Sequence, residues 1–100
     1  MNTNRSPTEI AELINRRRRQ LLVHSVIYYR LNKNIISDAL WTKWAIELAE
    51  LQERYKDIAE KVPYHDNFKN FDPSTGFDLP LEDPWAVNTA IYLLKIYNKN

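Results

Sequence analysis

Apolar residues recur at helical spacing in three segments, and the breaks between them fall on residues that stop helices. Ile10, Leu13, Ile14, Leu21, Val23, Ile27, Tyr28 and Leu31 follow one side of a helix that also carries His24 and is interrupted by Arg17. Its start is marked by Ser6-Pro7-Thr8-Glu9. Ser6 can cap the Glu9 amide, Glu9 can reach back, and Pro7 fits the first helical position. The pattern predicts a helix over 7–31, closed by the polar turn Asn32-Lys33-Asn34, whose asparagines tolerate left-handed backbone.

A second helix is predicted over 37–62, with Ser37 as N-cap and Asp38 at the positive end of the macrodipole. Its stripe, Trp41, Trp44, Leu48, Leu51, Tyr55, Ile58 and Val62, steps by three and four and reads as a seam against a partner helix, ending at Pro63. A short connection between two such helices makes an antiparallel hairpin. Residues 63–83 lose the period but keep Tyr64, Phe68, Phe71, Phe77, Leu79 and Leu81, so they read as an ordered loop packed over the hairpin. Asp83-Pro84 then starts a third helix over 84–97, apolar around most of its circumference and therefore expected to be largely buried. The expected fold is all-α: a helical hairpin, an aromatic-rich loop and a C-terminal helix in one domain spanning 1–100.

Composition narrows the chemistry. With no Cys there can be no disulfide, thiolate zinc site or cysteine nucleophile, and a single Gly excludes glycine-rich phosphate loops. No apolar run reaches the roughly 20 residues that cross a bilayer. The polar stretch Met1–Thr8 predicts no secretory signal, so a cytoplasmic location and no membrane partner are expected. The net charge of +1 is uneven. Residues 1–36 hold seven Lys/Arg against two Glu, a balance of +5, and residues 37–100 hold seven against eleven acids, a balance of −4. One basic and one acidic face are implied.

Signs of catalysis are few. His24 and His65 are the only histidines, neither has a second metal ligand at helical spacing, and no serine sits in a nucleophile-elbow sequence. The expectation is a protein that is not an enzyme and has no metal or catalytic residue. Arg16, Arg18 and Arg19, extended by Arg30 and Lys33, form a candidate basic patch for weak, non-specific nucleic-acid or acidic-partner contact. Four consecutive helix positions fan out around the axis, so Arg17 must face the seam or pair with an acid of the second helix, with Glu50, Glu53, Asp57 and Glu60 at hand. A solvated, internally paired helix accounts for the same run.

The turn carries a more specific pattern. Tyr28-Tyr29, then Leu31 to Trp41 through Ile36-Ser37-Asp38, then Glu47-Leu48 and Leu51, resembles the small N-terminal helical domain of NAD+-dependent bacterial DNA ligases over about residues 21–62. Tyr28 and Asp38 match that motif in register. Trp41 stands for its second Tyr, Tyr29 for its His and Thr42 for its second Asp. The resemblance implies recognition of the nicotinamide mononucleotide half of NAD+, with Tyr28, Tyr29, Asp38, Trp41 and Thr42 as ligand-binding residues. An aromatic face suits a cationic pyridinium ring. The same residues could instead serve only as a cap and a staple for the turn. The chain lacks the ligase's adenylation domain and its lysine motif, so DNA sealing is not implied.

A detached ligase-like domain of this size suggests a phage-type protein. The leading expectation is therefore a non-enzymatic binding protein with a nicotinamide nucleotide as bound ligand, not as cofactor. The alternative is a phage-encoded interaction or inhibitor protein, of the anti-defence or host-takeover type such as an anti-CRISPR. That protein would act on a host protein or nucleoprotein through the basic helix and the aromatic loop.

Overall fold

The computed structural model describes residues 5–98; Met1–Asn4, Lys99 and Asn100, which the sequence reading included in the domain, lie outside it. Five helices follow in order: α1 (Pro7–Tyr29), α2 (Asp38–Arg54), α3 (Lys56–Ala59), α4 (His65–Phe68) and α5 (Pro84–Asn98). The fold is all-α, with no strand among the described residues and no helix long and apolar enough to cross a membrane.

The caps form as their residue types dictate. Ser6 Oγ accepts the Glu9 amide at 3.1 Å, and Glu9 Oε1 accepts the Ser6 amide at 2.8 Å. Ser37 Oγ accepts the Leu40 amide at 3.0 Å. Asp83 starts α5 by accepting the Ala86 amide at 3.0 Å. Between α1 and α2 the chain turns through Asn32 in the left-handed region at φ 56°, and the Lys33 amide closes the Ile27 carbonyl at 3.0 Å.

α1 is the central helix. It lies against α2, α3 and α5 and buries Ile10, Leu13, Ile14, Leu21, Leu22, Val23, Val26 and Ile27. Side-chain contacts show that α1 and α2 run antiparallel: Arg18 meets Gln52, Arg17 meets Glu47, and the His24 ring lies 5.8 Å from Trp44. On α2, Leu48 and Ala45 are fully buried, while Trp41, Trp44 and Leu51 are half-buried against the core. The loop supplies Phe68 and Leu79 to the same core, as an ordered, packed segment should.

Two sequence expectations are corrected. The second helix does not run unbroken over 37–62. It stops at Arg54, Tyr55 leaves helical geometry at ψ 55°, and only the single turn of α3 follows. Beyond the break the carbonyls of Ala59, Val62 and Pro63 converge on the Arg18 guanidinium. The C-terminal helix is also not largely buried. α5 buries Ala86 and Ala90 but leaves Trp85, Ile91, Tyr92, Ile96 and Tyr97 exposed, because α1 is its main helical neighbour and covers one side.

Candidate functional site

At the turn end of the α1–α2 pair lies a pocket of about 260 Å³. The last turn of α1 forms one wall, the segment 34–38 and the first turn of α2 form another, and Ser74–Gly76 close the third. Tyr28, Tyr29, Asp38, Trp41 and Thr42 all line it. Antiparallel packing is what brings them together, since Tyr28 ends one helix and Asp38 begins the next. Asp38 and Trp41 stand three apart and share a helix face.

The mouth is aromatic. Tyr28 is 52% exposed, and its ring meets Tyr29 edge to face at 4.9 Å. Phe77, 66% exposed, meets Tyr29 in the same way at 5.5 Å. Edge-to-face geometry is favourable for aromatic pairs, so this cluster is pre-shaped despite its exposure. The Tyr29 hydroxyl lies 3.2 Å from Thr75 Oγ1, which also accepts the Phe77 amide at 3.1 Å, tying the loop to the end of α1.

Deeper in the site the polar atoms are left over. Ser25 is fully buried, yet its Oγ has no hydrogen-bond partner, and neither does the buried His24 Nδ1. Burial lowers the His24 pKa below its ordinary value, which favours a neutral imidazole. Both residues line the pocket. Gly76 lies flush against Ser25: a Cβ there would collide with Ser25 Oγ and come to 3.0 Å from the Trp41 ring.

The sequence reading did not find Ser25, His24 or Gly76 as parts of this site. Ser25 was legible as a polar residue within an apolar helix, and Gly76 as the chain's single glycine, but nothing in the sequence joins position 25 to position 76.

The basic patch is corrected. Arg18 is fully buried and does not belong to it. Its Nε donates to Gln52 Oε1 at 2.8 Å, Nη1 to the Val62 and Pro63 carbonyls at 2.9 and 3.1 Å, and Nη2 to the Ala59 carbonyl at 3.2 Å. Burial pushes its pKa down to about 10, which still leaves it charged at neutral pH. Arg19 is half-buried, donates to Asn15, and places its guanidinium 4.6 Å from the Trp85 ring centre and 5.3 Å from that of Tyr64. Arg17 does pair with an acid of α2, but with Glu47 at 2.7 Å rather than with Glu50, Glu53, Asp57 or Glu60.

Arg16 and Lys33 remain exposed, and Arg30, also exposed, donates to the Leu81 carbonyl at 3.3 Å. Most of the arginine run is thus spent inside the molecule. Compared with protein-family models, with curated proteins and with solved structures, the chain finds no match.

Proposed function

We propose that this chain is a non-enzymatic binding protein whose pocket takes the ring end of a nicotinamide-type nucleotide. The observation that carries the reading is the shared pocket: five residues singled out by one motif, on two helices joined by a short turn, line the same cavity. Its chemistry suits such a ligand. The Tyr28, Tyr29 and Trp41 rings offer π faces to a cationic pyridinium, and the Asp38 carboxylate can accept ribose hydroxyls. The size favours a ring with part of its ribose over a whole dinucleotide, because about 260 Å³ falls just under the range of roughly 300–1,000 Å³ for drug-sized ligands. Tyr29 and Thr42 put neutral hydroxyls where the resembled motif has His and Asp, so phosphate contributes little to affinity.

Calorimetry and thermal unfolding with nicotinamide riboside, nicotinamide mononucleotide and NAD+ test this. At a hundredfold excess over Kd the fold gains about 2.7 kcal/mol by mass action. Asp38→Ala and Tyr28→Ala abolish the gain, and a change in salt leaves it nearly untouched. No heat and no thermal shift at millimolar ligand would sink the reading. The alternative, an interaction or inhibitor protein of phage type, draws support from the exposed Phe77 beside Tyr29. It has less support from α1, where Arg17, Arg18 and Arg19 are already engaged.

A further inference from the structure

Five of the nine large hydrophobic residues left exposed on the described surface belong to α5: Trp85, Ile91, Tyr92, Ile96 and Tyr97. Three of them form a stripe. Trp85, Tyr92 and Ile96 are spaced seven and four apart, the spacing of a helix–helix seam, with Asn88 and Thr89 between them. Another side of α5 buries Ala86 and Ala90, and α1 packs against this helix. The monomer therefore satisfies one side of this helix and leaves a second apolar side uncovered.

We propose that this stripe is the contact between two copies of the chain, α5 against α5 in antiparallel order. The stripe is complementary to itself in that arrangement. A two-fold axis passing between Thr89 and Tyr92 sets Trp85 of one copy beside Ile96 of the other, and Ile96 beside Trp85 by symmetry. Each Tyr92 hydroxyl then falls within reach of Asn88 or Thr89 across the axis, so the tyrosine keeps a polar partner when its ring is covered.

Charge selects the same order. Lys95 is the one formally charged residue of α5 and makes no ion pair among the described residues. The exposed Glu82 precedes the first turn and is likewise unpaired there. Parallel pairing would set lysine against lysine, whereas antiparallel pairing carries each Lys95 toward Glu82 of the other copy. Trp85 is already held in place, with the Arg19 guanidinium over its ring at 4.6 Å, so little side-chain freedom is lost on association.

The three stripe residues offer roughly 300 Å² of surface, taking large side chains at about 150–250 Å² each. A standard interface buries about 800 Å² per partner, so this patch with a polar rim makes a weak, concentration-dependent dimer.

Sedimentation equilibrium from micromolar to millimolar protein tests it, with the mass rising from one copy to two. Tyr92→Glu and Ile96→Glu each weaken association more than tenfold without loss of helix content, while Tyr28→Ala at the pocket leaves it unchanged. Lys95→Glu and Glu82→Lys each weaken it, and the two together restore it. A monomer at every concentration, or a dimer indifferent to Tyr92→Glu and Ile96→Glu, overturns the proposal. A dimer that the double charge swap fails to restore overturns the antiparallel order.

Discussion

The two ends of the α1–α2 pair handle buried polar atoms in opposite ways. At one end Arg18 uses four donors on three backbone carbonyls and Gln52, and Gln52 in turn donates to the Phe68 carbonyl at 3.0 Å. That network gathers α2, α3 and α4 around one side chain, with His65 Nδ1 in α4 the one buried atom beside it that has no partner. At the other end Ser25 Oγ and His24 Nδ1 are buried without partners beside a pocket ringed by tyrosines. A saturated network makes a joint. Unsatisfied groups beside an open cavity mark a place where something else can bind, since buried polar atoms are costly to leave alone.

The largest effect that would break this contrast is at Arg18. Arg18→Gln should cost on the order of 3–5 kcal/mol, because it removes four hydrogen bonds and leaves the Val62 and Pro63 carbonyls without the partner that Arg18 gives them. The neighbouring Arg16→Gln, on an exposed side chain, should change stability by less than about 0.5 kcal/mol. Denaturant unfolding of the two variants measures the difference directly. If both were neutral, the arginine run would be a surface feature after all.

At the pocket end, Gly76→Ala should destabilise by about 1–3 kcal/mol, the range of an overpacked core, because the new methyl has Ser25 and Trp41 in its way. It should also remove any nicotinamide-nucleotide binding. Thermal unfolding with and without ligand reads both consequences in one experiment.

The smallest effect is with pH. Burial holds the His24 pKa below its ordinary value of 6.5, so the unfolded chain binds a proton more readily than the folded one. Stability therefore falls as the pH drops through 6.5 toward the depressed folded value, and it is fully present above 6.5. His24→Gln should flatten that part of the pH–stability curve. An unchanged slope in the variant would assign the pH dependence to another group.

The helices, their caps and the turn were legible from neighbouring residues. Ser6, Ser37 and Asp83 act within three or four positions of themselves, and a capping hydrogen bond needs no tertiary partner. The pocket was half legible. Its Tyr28, Asp38 and Trp41 lie on two helices joined by a short turn, so antiparallel packing alone makes them neighbours, whereas Gly76 arrives from a loop that no local pattern places.

The sequence by itself determined that the chain is helical, where its three long helices begin, and that its first two helices pair. Each of those outcomes follows from side-chain periodicity and short-range hydrogen bonds. Only the tertiary structure decided which arginine is inside. Arg16 through Arg19 are identical side chains on consecutive helix positions, and one of them, Arg18, lands where three carbonyls and Gln52 repay its desolvation. Tertiary structure also decided which side of α5 stays uncovered. An all-round apolar helix does not specify its buried face, and the number and placement of neighbouring helices does; here α1 covers one side and leaves Trp85, Tyr92 and Ile96 outward.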